Sequence, residues 1–318
     1  MKTSKPKHDP FFSESMEYFP IAHDFFKQHI PPSLAPSIDL STLERVDRKN
    51  TDQKLKKRQR DIIYRAILGG TSPSFLSCEH QSQEKWDIPL RLLQYYLDTL
   101  SMYMKAGNRD WPLIISILFY HGEKSPYPHY SESTYYYKEP ILGNQELYYR
   151  FYVIDSTQIG DKEIITHGLC APMELLLKHG RDGEFELDID AYREIFHVCI
   201  EAVGDRYIES MLTYATSLQD FEIGEKIYSF IEQVLAYKKD IVMTYGQKLR
   251  KEGKVEGKVE GKIEGLEEGM QKGIEKGVEK ERFQVAKSML KEGLTMQVIC
   301  KITGLSQEEI NRLQPMGL

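Results

Sequence analysis

The chain reads as a mixed α/β domain followed by a helical half and a long helical tail, and three observations predict that class. A strand-turn-strand pattern surrounds the glycine pair at 69 and 70. An amphipathic helix is followed by a continuous apolar run at 111–120. Beyond residue 171 the spacing of apolar residues turns helical.

The first informative stretch is polar. Between Glu44 and Arg60, the cations Lys54, Lys56, Lys57, Arg58 and Arg60 gather just ahead of Asp61. Such a run suits either a solvated helix or loop surface, or a rim that contacts phosphates beside an active site. Asp61 to Leu68 then reads as a strand, Gly69-Gly70-Thr71-Ser72-Pro73 as a turn, and Ser74 to Gln81 as the returning strand of a hairpin. Leu90, Leu93, Leu97, Leu100 and Met104 recur at three- and four-residue spacing, which predicts a helix covering the sheet. The apolar run from Trp111 to Tyr120 suits a strand buried on both faces, and Tyr149 to Ile154 suits another.

From Ala171 to the neighbourhood of Lys239 the pattern is helical, clearest at Met173–Leu177 and Ile195–Met211, and past Tyr245 the composition changes abruptly. From Gly253 to Gly277 a glycine falls at every fourth residue, seven in all, interleaved with Val255, Val259, Ile263, Leu266, Met270, Ile274 and Val278. Each glycine costs a solitary helix up to about 1 kcal/mol. The segment therefore reads as a helix that self-associates or folds back where backbones approach closely, or else as a flexible linker. Alternating Lys and Glu keep it nearly neutral, a poor arm for DNA. At the end, Phe283 to Leu290, Gly293, Met296 to Thr303 and Gly304-Leu305-Ser306 outline a helix-turn-helix, with Ser306 and Glu309 placed as a capping box. Its final helix offers Gln307, Glu308, Glu309, Asn311 and Arg312, an acidic set that suits packing in a small bundle at least as well as reading DNA.

Composition limits the function. The 318 residues hold 41% apolar side chains, enough for a core, and a net charge of −6 confines any nucleic-acid footprint to local patches. Cys78, Cys170, Cys199 and Cys300 lack paired spacing, against both a cysteine zinc cage and a disulfide framework. No apolar leader follows the basic start, and no stretch reaches the roughly 18 apolar residues of a membrane span. A cytoplasmic protein is the expectation.

The hairpin supplies the candidate site. Pairing symmetrical about Gly70 sets Asp61 opposite Glu79, and alternation puts Gln81 on the face of Glu79 while Cys78 and His80 point away. Like charges on paired positions destabilise a sheet unless something positive lies between them. Two carboxylates and an amide suit Mg²⁺ or Mn²⁺, which take oxygen ligands and keep waters for a substrate phosphate. The bland alternative is a solvated pair of strand ends. His80 reads as a core histidine, and His8, His121 and His129 have no spacing that favours a zinc enzyme.

Several blocks carry a family likeness. They are His8-Asp9 with Phe12, Arg60-Asp61-Ile-Ile-Tyr64, Cys78-Glu-His-Gln-Ser82, Pro112 to Gly122 running into Ser125-Pro-Tyr-Pro128, Tyr152-Val-Ile-Asp-Ser156, and Thr303-Gly-Leu-Ser306. Over nearly its whole length the chain resembles the Rpn family of recombination-promoting nucleases, also grouped with transposases and with the PD-(D/E)XK nuclease superfamily. The resemblance implies a restriction-endonuclease-like αβββαβ core at residues 1–165 and a helical region at 166–245. The glycine repeat at 246–282 and a helix-turn-helix-like segment at 283–318 would follow. It further implies an Mg²⁺-dependent DNA endonuclease with Asp61, Glu79 and Gln81 as catalytic residues. Asp61, Glu79 and Asp52 would hold the metal, and Gln81 stands where the superfamily usually has lysine. Its opening departs from the family's usual Phe-Lys, having Phe12-Ser13. A non-catalytic DNA-binding protein that assembles through its tail is the competing expectation.

Overall fold

In the computed structural model, residues 8–46, 62–139 and 147–313 are described. Two short helices, α1 (His8–Ser15) and α2 (Phe19–His29), lead into β1 (Ile38–Arg45). Then come β2 (Ile62–Leu68), β3 (Ser72–Gln81), the helix α3 (Ile88–Lys105), β4 (Leu113–Tyr120) and β5 (Tyr152–Asp155). The sheet order is β1-β2-β3-β4-β5. β1, β2 and β3 pair antiparallel, whereas β4 and β5 join parallel, because α3 carries the chain back across the sheet.

The hairpin forms in the expected register. Its pairs run from Leu68 with Ser72 to Ile62 with Cys78. Gly69 and Gly70 take φ of 59° and 85°, the left-handed backbone that a tight hairpin turn requires and side chains resist. β3 is the central strand, and from Ser74 to Gln81 every residue is buried. Both faces are covered. On one, Phe12 and Phe25 pack on Phe119, and Phe26 on Tyr64, so α1 and α2 close that side. On the other, Ile88, Leu92 and Tyr95 of α3 pack with Leu118, and Leu100 packs with Ile63, Phe75 and Ile114.

Three details depart from expectation. The buried stripe of α3 is Ile88, Leu92, Tyr95 and Thr99 with Leu100, while Leu90 and Leu97 are exposed. The helix carries two overlapping apolar stripes, and the one holding Tyr95 meets the sheet. β1 has no counterpart in the sequence reading, and only its last residues, Glu44 and Arg45, fall in the polar stretch that begins at Glu44. It is an edge strand, where only Ile38 and Leu43 need to be buried. The helical run Ile195–Met211 is broken at Gly204, whose φ of 93° ends one helix before the next begins.

The helical half holds α4 (Ala171–His179), α5 (Ile189–Val203), α6 (Arg206–Ser217) and α7 (Phe221–Val234). α4 is buried along its whole length. Its Lys178 and His179 reach Asp161 at 2.8 and 2.9 Å, and Tyr192 and the Glu186 backbone N–H donate to the same carboxylate, so a fully buried charge is satisfied by four groups. α8 (Lys239–Lys291) is a 53-residue helix, followed by α9 (Met296–Thr303) and α10 (Gln307–Asn311). The chain divides into two compact units, Met1–Tyr245 and Gly246–Leu318. In the second, Ala286, Ile299, Leu305 and Ile310 form a small core, and the Ser306–Glu309 capping box is present in both directions. Among the described residues no helix is long and apolar enough to cross a membrane.

Candidate active site

Alternation along β3 aims Phe75, Ser77, Glu79 and Gln81 at the face covered by α3. Glu79 and Gln81 do share a face: Gln81 Nε2 donates to Glu79 Oε1 at 3.0 Å, and both residues are buried. His80 turns the other way, its ring 4.8 Å from Phe12 and 5.8 Å from His121, inside the aromatic layer under α1. Asp61, Asp52 and the cations Lys54, Lys56, Lys57, Arg58 and Arg60 lie outside the described residues.

A third side chain joins the pair. Arg91, from the first turns of α3, donates through Nη2 to the same Glu79 Oε1, and lies 3.4 Å from the Tyr95 hydroxyl. Burial works against the guanidinium charge, but the Glu79 carboxylate and Tyr95 outweigh it and hold the Arg91 pKa above its ordinary value. Both donors fall on Oε1, so neither occupies Oε2. One carboxylate oxygen is thus oriented by an amide and a cation. A hard oxygen donor oriented by neighbouring hydrogen bonds is the kind of ligand that Mg²⁺ takes.

Arg91 escaped the reading of the sequence. Gln81 carries no charge where a cation was expected, and the charge comes from another element that is ten residues further on. Its signal lies in α3, where Arg91 sits among Ile88, Leu92 and Tyr95, on the stripe that faces the sheet. Beside the carboxyl ends of β3 and β4 a cleft of about 270 Å³ opens, lined by Ser82, Gln83, His121, Glu123, Arg181 and Asp220. Strand ends of a parallel pair are where α/β sheets commonly receive ligands.

Residues 6–202 match the family model "Putative transposase, YhgA-like". The chain belongs to this YhgA-like family. Residues 279–315 match the C-terminal HTH domain of the Rpn/YhgA-like nuclease family. Three curated relatives come from Escherichia coli. Recombination-promoting nuclease RpnA of strain K12 is 26% identical over 97% of each chain. RpnD of strain O157:H7, also named a recombination-promoting nuclease, is 26% identical over 79% of this chain and 96% of its own. The K12 protein RpnE, named an inactive recombination-promoting nuclease-like protein, is 25% identical over 97% of each. No solved structure matches.

Proposed function

We propose that this YhgA-like protein is an Mg²⁺- or Mn²⁺-dependent DNA endonuclease that hydrolyses phosphodiester bonds and so promotes recombination or the movement of mobile elements. The observation that carries the reading is the Glu79-Gln81-Arg91 cluster on β3 and α3. The β2–β3 pairing, as far as Ile62 with Cys78, keeps the register from which the sequence reading sets Asp61 opposite Glu79, Asp61 itself lying outside the described residues. The element order, a helix, three strands, a helix and a strand, fits a restriction-endonuclease-like core, which on this reading fills residues 1–165.

In this reading Asp61 and Glu79, with Asp52, hold the ion. When bound, the ion supplies a water of lowered pKa and offsets charge growing on the phosphoryl group. The protein's own groups do the rest. Gln81, whose amide N–H is committed to Glu79, presents its carbonyl oxygen to orient the water. Arg91 fixes the rotamer of Glu79, as partners beyond a metal's direct ligands generally do. The cations Lys54, Lys56, Lys57, Arg58 and Arg60 position the DNA backbone, and the helix-turn-helix segment at 283–318 adds a second DNA contact. The repeat at 246–282, following the helical region at 166–245, joins copies of the chain.

Purified full-length protein with Mg²⁺ or Mn²⁺ is expected to nick or linearise supercoiled plasmid, and Asp61→Ala or Glu79→Ala to abolish the cutting. No cleavage by the wild type with either ion would remove the enzyme reading. A second reading is favoured by RpnE, the relative named inactive, which matches over 97% of the chain. In it the protein binds DNA and assembles without cutting. It predicts DNA binding that survives Asp61→Ala and is lost with residues 246–318.

A further inference from the structure

We propose that His29, His167 and Glu174 form a second, structural metal site that takes Zn²⁺ or a similar transition-metal ion. Their ligand atoms all lie within 4.8 Å of one another. His29 Nε2 meets Glu174 Oε1 at 2.7 Å, and His167 Nδ1 meets Glu174 Oε2 at 2.6 Å. The three side chains come from the end of α2, the turn before α4, and α4 itself. All three side chains are at most 7% exposed. Two imidazoles and one carboxylate are the donors that select Zn²⁺ over Mg²⁺. This separates the site from the oxygen cluster around Glu79. Sequence spacing gave no sign of it, because 138 positions separate the two histidines.

The chemistry of the donors permits loading. Each oxygen of the Glu174 carboxylate already faces one imidazole nitrogen, Oε1 that of His29 and Oε2 that of His167. His167 Nε2 is buried with no hydrogen-bond partner among the described residues. Moving the ring proton from Nδ1 to Nε2 therefore breaks no bond on that side and frees the Nδ1 lone pair for an ion. Each imidazole then exchanges its hydrogen bond to Glu174 for a metal bond, and the carboxylate bridges no longer to protons but to the cation. An ion held there ties α2 to α4, two elements far apart in the chain, and would be captured as the protein folds.

The test uses the full chain, purified without chelator or affinity metal and dialysed. Metal analysis is expected to find zinc stoichiometric with protein, retained in Asp61→Ala and Glu79→Ala but lost in His29→Gln and Glu174→Gln. Prolonged exposure to a chelator should lower the wild-type unfolding midpoint by several degrees, and Zn²⁺, not Mg²⁺, should restore it. Substoichiometric metal in the wild type, with a midpoint unmoved by chelator and by added Zn²⁺, overturns the proposal, whether or not the variants fold. Because these readings involve no DNA cleavage, they stand apart from the fate of the nuclease assignment.

Discussion

Glu79 is buried with one oxygen shared between Gln81 and Arg91, so the guanidinium is the group whose removal most disturbs the carboxylate. Arg91→Ala should lower plasmid cleavage by about 10–100-fold, the usual cost of losing a residue that orients a metal ligand. Arg91→Lys, which keeps the charge but not the planar fork, should fall between it and the wild type. Cleavage equal in all three proteins, at matched folded fractions, would remove Arg91 from the site. The other buried carboxylates set the acid limb of stability. Glu174 is held down from an ordinary 4.5 to about 2, despite burial, by His29 and His167. Asp161 is held well below the usual carboxylate range by His179, Lys178 and Tyr192, again against burial. A depressed carboxyl stabilises the fold fully above its unfolded pKa and loses that contribution as pH falls toward the folded one. The unfolding midpoint should therefore drop steadily below about pH 4.5, by a few kcal/mol of stability in all. Glu174→Gln should show a shallower drop, and a midpoint that rises on acidification would contradict both assignments. That Glu79 and Gln81 share a face could be read from the chain because strand alternation is local and the hairpin register is set by one turn. Arg91, His29, His167 and Glu174 could not, because only the tertiary fold brings them together.

Elements follow the same division. β2, β3, β4 and α3 announced themselves by alternation, an apolar run and helical spacing. β1 did not, because an edge strand with two buried side chains reads like polar loop. Where two helices touch, small residues decide how near they come. Gly224 at the start of α7 faces α6 so closely that a Cβ there would stand 2.8 Å from the carbonyl oxygen of Ala215. That neighbour is backbone and cannot swing aside. Gly224→Ala should therefore destabilise the protein by about 1–3 kcal/mol, as overpacking does. Gly204→Ala acts differently, since its Cβ would meet nothing within 4 Å but its φ of 93° disfavours any side chain. Its expected cost is about 1–2 kcal/mol, conformational only. Denaturant midpoints compare the two, and a neutral Gly224→Ala would mean that α6 and α7 are free to separate.

At the scale of the molecule, the tail is the part that leaves most apolar surface exposed along one helix. α8 exposes Val259, Ile263, Leu266, Met270, Ile274 and Val278, each at least 43% accessible. Beside them, from Gly257 to Gly277, every glycine would receive a Cβ with nothing within 4 Å. A solitary helix gains up to about 1 kcal/mol from each glycine replaced by alanine. A helix that meets a second copy along its glycines loses contact instead, because added methyls hold the backbones apart. The combined change Gly261→Ala, Gly265→Ala and Gly269→Ala distinguishes these cases. If the tail joins copies of the chain as proposed, light scattering should show a smaller particle while circular dichroism shows helix content equal or greater. Deleting residues 246–318 should give the same smaller particle. An unchanged mass in both proteins would leave the apolar stripe of α8 without a self-associating role, and the glycines would then serve only to keep the helix marginal.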